Sequence, residues 1–330
     1  MKPALDRDDV GGLLRRSEYY SLIIIAVTIA AFSLMAVATD SRGVVDALER
    51  MGLLTTVSVM ALASCNYACR IVRFRYLLSR RNLDVPFPSL VEIYLAGGAM
   101  AVTPGKVGEF IRAWMLRTRH NLPYRKTLPV LIADRGGDVI ASVLLGLLSL
   151  RAFTGYAVAA AAISAVFLAG CALLMWPALL IRLIGWAYGL LRVKPRLFVM
   201  LRQIVRNTSD LFKPAPFFIS LVISCAGWIM ECLALYLCAV SFAPDFTIEQ
   251  AVFIFTFASL LGAISLIPGG VGGTEALMGV LLTTVGLTVG QAAAVTLTIR
   301  VGTLWFGVGC GYVALFSFLS ARRAAAKIAG

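Results

Sequence analysis

Asp134, Arg135 and Asp138 fall inside the apolar run 129–152, Glu231 stands alone in GWIMECLALY, and Arg300 lies within the apolar run 291–319. A central arginine in a membrane span costs a few kcal/mol on insertion scales, so it normally faces a cavity or a counter-charge. For Arg135 and Arg300 the available counter-charges are Glu109, Asp134, Asp138 and Glu275; the other reading is that an anionic substrate shares or replaces one of them. Asp134 and Asp138, four residues apart, share one helical face, with Arg135 rotated by about 100°. Such a pair could handle a proton or act as acid and base. Proton coupling is also open to Glu231, whose plainer role is that of an inward-facing hydrogen-bonding group, and to Glu275. No metal site is expected, because the lone histidine, His120, sits in a basic loop and no cysteine has ligand spacing. No cofactor motif is present either.

Two glycine-rich breaks interrupt hydrophobic sequence: AVTPGKVGEF at 101–110 and SLIPGGVGGTEA at 265–276. A Pro-Gly break followed by a new helix presents unpaired N–H groups and the positive end of a helix dipole, which favour an anion such as phosphate. Lys106 adds charge to the first tip, and glycines 269, 270, 272 and 273 remove side chains from the second. The candidate substrate-binding residues are therefore Pro104, Gly105, Lys106, Gly108, Glu109, Asp134, Arg135 and Asp138 in the first half, to which the family resemblance below adds Arg112. In the second half they are Pro268, Gly269, Gly270, Gly272, Glu275 and Arg300. Neither tip completes a nucleotide-binding pattern.

The elements carrying these residues must be membrane helices. The 330 residues are 60% hydrophobic and only 14% charged, against about a quarter charged in soluble domains. An all-α polytopic protein forming a single membrane domain over 1–330 is predicted, with spans near 20–38, 51–69, 129–152, 157–181, 216–241 and 291–319. The first is read as a retained anchor rather than a cleaved signal. A net charge of +13 would suggest nucleic acid in a soluble protein. Here the basic residues fall in blocks, and placing every block inside is consistent with the positive-inside rule. One such block, Arg70, Arg73, Arg75, Arg80 and Arg81, is expected in the loop after the second span. Nucleic acid is excluded as a partner, both termini are expected in the cytoplasm, and the basic faces can meet anionic lipid headgroups.

The regions 88–116 and 250–288 do not fit as single spans, because a Pro-Gly break would leave backbone groups unpaired in lipid. They are read as re-entrant hairpins, the first entering from the cytoplasm and the second from outside. The units 51–152 and 216–319 then have opposite orientation. Pro104 precedes Arg135 by 31 residues and Pro268 precedes Arg300 by 32, which supports an inverted duplication of the kind that places transporter substrates at the repeat interface.

Taken together, PGKVGEFIR, ADRGGD, IPGGVGGTEA and TIRVG resemble the flippase-like membrane region of the lysylphosphatidylglycerol synthase/flippase family. The family pattern P-x-x-x-G-E-x-x-R is matched by Pro104, Gly108, Glu109 and Arg112, and E-R-x-x-D by Arg135 and Asp138, with Asp134 where glutamate is usual. P-G-G-x-G-x-x-E corresponds to Pro268, Gly269, Gly270, Gly272 and Glu275, and the arginine that follows to Arg300. The resemblance implies a stand-alone, non-enzymatic flippase in the bacterial cytoplasmic membrane that moves a phospholipid or glycolipid with a polar or anionic headgroup. The soluble aminoacyl-transferase domain of the family has no counterpart in this sequence. Alternatives are a membrane glycosyl- or acyltransferase and a scaffold of a lipid-synthesis complex. Lipid-synthesis enzymes and a second copy of the chain are the protein partners such readings admit.

Overall fold

The long apolar runs of the sequence become helices whose backbone polar groups are satisfied within each segment, the arrangement a bilayer demands. The structure, a computed structural model, describes residues 41–100, 107–191, 195–264 and 272–328, and within these it is helical with no strands. The run 20–38, the glycine tip at 101–106 and the stretch 265–271 lie outside the described residues.

Twelve α-helices carry the described chain: α1 (Ser41–Ser79), α2 (Phe87–Gly98), α3 (Val107–His120), α4 (Tyr124–Leu148), α5 (Ala157–Met175) and α6 (Pro177–Leu191), then α7 (Pro195–Ser209), α8 (Pro214–Ala239), α9 (Ile248–Ile264), α10 (Gly273–Thr284), α11 (Val289–Arg300) and α12 (Phe306–Ile328). A five-residue π turn, Val301–Trp305, joins α11 to α12. Pro86 and Pro123 precede α2 and α4, and Pro214 opens α8, positions where a missing N–H costs nothing and the fixed φ suits a helix start. Within α1, Gly52 at φ 69° separates an amphipathic first stretch from the long apolar remainder.

Three stretches among the described residues are long and apolar enough to cross a membrane: Arg42–Ser79, Pro214–Ala239 and Val289–Ala321. These correspond to the runs predicted at 51–69, 216–241 and 291–319. The first is much longer than expected. Its helix continues ten residues past 69, so Arg70, Arg73 and Arg75 lie in the helix rather than in the cytoplasmic loop assigned to them. Helix α4 has the length for a span but holds Asp134, Arg135 and Asp138 near its middle. The run expected at 157–181 breaks at Trp176, between α5 and α6.

In 41–148 the long α1 is followed by the shorter α2 and α3 and then by α4, which carries Arg135 near its middle; in 214–328 the long α8 is followed by the shorter α9 and α10 and then by α11, which ends at Arg300 and runs through the π turn into α12. The two short helices of each set pack on one another, α2 on α3 and α9 on α10. Two apolar cores result. One gathers Phe74, Tyr94, Met115 and Val130 with Phe318 of α12; the other gathers Leu235, Phe253, Met278 and Val295 with Val59 of α1. Lipid tails are as apolar as these side chains, so close van der Waals packing and interhelical hydrogen bonds, rather than transfer from water, hold each helix set. The two are stitched together by α1 against α8 and by α12 against α2. At the second seam the backbones nearly touch. A Cβ on Gly311 would fall 2.2 Å from the Ala99 nitrogen and 2.7 Å from the Gly98 carbonyl carbon.

Candidate functional site

Buried among these helices is a cluster of arginines and carboxylates, with Arg73 bonded to two of its acids. The Arg73 side chain is wholly buried. Nη2 lies 2.7 Å from Asp134 Oδ1, to which Nε donates at 2.8 Å, and Nη1 donates to Asp138 Oδ1 at 2.7 Å. The same Nη1 donates to the Ser224 hydroxyl of α8. One guanidinium thereby ties α1, α4 and α8 together, using the fork geometry that lysine lacks. Gly137 leaves the room for it: a Cβ there would sit 3.1 Å from Ser224 Oγ and 3.6 Å from Arg73 Nη1.

Asp138 accepts from two more arginines at its other oxygen, Arg70 Nη1 at 2.8 Å and Arg135 Nη1 at 3.1 Å. Arg70 also donates to Asn66 and lies over the Trp228 ring, its guanidinium carbon 6.0 Å from the centroid. Asp134 Oδ2 has looser neighbours, Arg112 Nη1 and Arg135 Nη2, each 3.6 Å away. Arg112 is itself buried. Its guanidinium carbon stands 3.9 Å from the Tyr94 ring centroid, and its Nη1 has no hydrogen-bond partner. Gly97 accommodates it, because a Cβ there would meet Arg112 Nε at 2.3 Å.

On the other side, Arg300 Nε donates to Glu275 Oε1 at 2.6 Å, while Glu275 Oε2 accepts from the Gly272 N–H at 2.6 Å. Glu275 thus caps the start of α10, satisfying an N–H that would otherwise be orphaned, and fixes the arginine at the end of α11. Gly272 adopts φ 90°, a conformation that glycine tolerates and a β-carbon resists. Immediately after Arg300 the helix widens into the π turn, a feature frequent at functional sites, where the Thr303 hydroxyl donates back to the Ile299 carbonyl.

Beside this network is a cavity of about 240 Å³. Four arginines reach its wall from four elements: Arg70 of α1, Arg112 of α3, Arg135 of α4 and Arg300 of α11. Glu231 of α8 is the acid among the lining residues, with Tyr67, Tyr94 and Phe255 as aromatic walls. Asp134, Asp138 and Glu275 hold the arginines from outside the lining set. Such an arrangement presents guanidinium donors in a small space of low dielectric, where each charge-assisted hydrogen bond to an anion is strong.

Of the residues singled out in the sequence, Arg112, Asp134, Arg135, Asp138, Glu275 and Arg300 belong to this one cluster, and Gly272 fastens Glu275. Gly108 and Glu109 fall in the first turn of α3. Pro104, Gly105, Lys106, Pro268, Gly269 and Gly270 lie outside the described residues. Asp134 and Asp138 are not a free carboxylate pair, since both are engaged by arginine. The residues missed in the sequence are Arg70 and Arg73, read there as topology charges. Their signal was present: arginines three apart on a helix match acids four apart on a neighbour.

The Lysylphosphatidylglycerol synthase TM region family matches residues 22–311. A protein of Methanothermobacter thermautotrophicus (strain Delta H) named UPF0104 membrane protein is 24% identical over 317 residues, covering 89% of this chain and 94% of its own length. A second match of the same name and organism is 33% identical over 96 residues, 29% of this chain and 28% of that protein.

Proposed function

The chain belongs to the lysylphosphatidylglycerol synthase transmembrane-region family, and from that premise, joined to the arginine-lined cavity, we propose that it moves a lipid with an anionic polar headgroup between membrane leaflets. The observation that carries the reading is the convergence of Arg70, Arg112, Arg135 and Arg300 on one cavity drawn from both helix sets. At about 240 Å³ it falls just below the roughly 300–1,000 Å³ of pockets that enclose a whole drug-sized ligand. It suits a headgroup whose acyl tails stay in the bilayer.

The helix lengths support re-entrant hairpins. At 1.5 Å per residue, α2 and α10 with 12 residues each reach about 18 Å and α3 with 14 about 21 Å, short of the roughly 30 Å hydrocarbon core. Each pair then dips in and returns, the two from opposite faces, giving inverted units at 51–152 and 216–319 with the headgroup held where they meet. Rocking of one unit against the other exposes the cavity to each leaflet in turn. The chain works in this reading as a non-enzymatic transporter of the bacterial cytoplasmic membrane, with both termini on the cytoplasmic side.

Labelled lipid in vesicles, followed by quenching of whatever label reaches the outer leaflet, tests the proposal. A lipid-modifying enzyme would instead form product in detergent, where leaflets do not exist.

A further inference from the structure

The four acids of the cluster differ in one respect. Asp134 and Asp138 share Arg73, with Arg70 and Arg135 also on Asp138. Glu275 spends one oxygen on Arg300 and the other on the Gly272 N–H. A proton arriving at Asp138 or Glu275 would have to displace one of these bonds. Glu231 forms no hydrogen bond or ion pair with any described residue, yet it lines the cavity that the four arginines share. A carboxylate in so confined a place is costly unless charge or a proton balances it.

The groups facing Glu231 come from every element around the cavity. Tyr67 and Arg70 stand on α1, Tyr94 on α2 and Arg112 on α3. Arg135 on α4 and Arg300 on α11 complete the charged lining, α9 contributes only the non-titrating Phe255 and Ser259, and Asp138 acts on Glu231 at longer range. With the cavity empty, the Glu231 carboxylate serves the arginines as a nearby counter-charge. An anionic headgroup entering the same space takes over that role and leaves two anions confined together, a repulsion relieved when one of them binds a proton.

We propose that Glu231 is the coupling residue of the site: it is ionised when the cavity is empty and takes up a proton from water when an anionic headgroup binds, so that headgroup and proton cross together. The inference rests on the headgroup reading of the cavity. It makes the proton-motive force usable as a driving force, and it gives headgroup affinity a pH dependence with a definite sign. If one proton is taken up on binding, affinity falls by up to about tenfold for each pH unit of increase.

Titration calorimetry of the detergent-solubilised full chain with dihexanoyl phosphatidylglycerol, at one pH in two buffers of different ionisation enthalpy, counts the protons directly. The wild type is expected to take up close to one proton per headgroup bound near neutral pH. Glu231→Gln should bind the same probe with no proton uptake and a flat pH profile, and Glu231→Asp should restore the uptake. Binding by the wild type without proton uptake, or unchanged uptake in Glu231→Gln, would overturn the inference while leaving the anion site in place. No binding by the wild type would overturn both. Proton-linked binding without leaflet exchange in vesicles would sink the transport reading alone.

Discussion

Arg73 and Asp134, 61 residues apart on α1 and α4, are both wholly buried and meet at 2.7 Å, so the long α1 is bonded directly to the helix that carries Asp134, Arg135 and Asp138. Removing one partner of such a pair leaves an uncompensated charge, which costs about 3–5 kcal/mol. Arg73→Ala is therefore expected to lower the thermal unfolding midpoint in detergent sharply or to abolish expression of folded protein. Arg73→Lys should recover only part of the loss, because a point-charge ammonium cannot reproduce the fork across Asp134, Asp138 and Ser224. An Arg73→Ala protein as stable as wild type would remove the structural role assigned to this pair.

Glu275 separates two roles in one side chain. Glu275→Gln keeps an oxygen for the Gly272 N–H but surrenders the charge that holds Arg300. It should retain most of the fold and alter headgroup handling. Glu275→Ala loses the cap as well, at a further cost of about 1 kcal/mol. Unfolding midpoints of the two variants, measured side by side, check the separation; identical midpoints would deny the cap its part.

Gly311→Ala is expected to destabilise by about 1–3 kcal/mol, since overpacked cores must shift and the obstruction here is the backbone of Gly98 and Ala99 rather than a flexible side chain. Gly309, two residues earlier on roughly the opposite face of α12 and with nothing within 4 Å of its added Cβ, provides the control. Gly309→Ala should leave the midpoint unchanged or raise it slightly, as alanine is the better helix former.

His120 ends α3, and its Nε2 lies 2.7 Å from the Ser89 hydroxyl at the start of α2. Burial, then the adjacent Arg119 charge, pushes its protonation below the ordinary histidine range. The unfolded chain therefore binds a proton more readily than the folded one. The contribution to stability is present above the unfolded value of about 6.5 and is lost as pH falls through the folded one. Unfolding midpoints measured from pH 8 to pH 5 should drop on the acid side by less in His120→Asn than in the wild type. A drop of equal size in both would rule His120 out as its source.

Much of this cluster is legible in the sequence. Arg135, Arg300, Glu275, Asp134 and Asp138 stood out because an ionisable group in an apolar run needs a partner, and all five fall in one place. Arg70 and Arg73 escaped because the hydropathy of α1 falls after residue 69 while its helix does not end until Ser79. Hydropathy reports where lipid contact stops, and protein contact on the far side of α1 continues. The partner choice of Glu275 depends on Arg300 at the end of α11 coming within reach of the start of α10, a distance that spacing along the chain does not encode. The π turn after Arg300 leaves no mark in TIRVGTLW either, because one extra residue per turn is set by packing. The matched spacings from Pro104 to Arg135 and from Pro268 to Arg300 are legible in the sequence alone, whereas how the two stretches face one another is set by packing and leaves no mark in spacing.

Leaflet exchange in vesicles, with the wild type beside Arg135→Gln and Arg300→Gln, tests the central claim most directly. Label starting in the inner leaflet on an anionic phospholipid should become accessible to an impermeant quencher when the wild type is present. Loss of one charge-assisted contact, worth about 1.5–3 kcal/mol, should slow each variant by roughly 10- to 100-fold without lowering its reconstitution yield. Accessibility equal to that of protein-free vesicles across a panel of anionic headgroups, or variants as fast as the wild type, would contradict it.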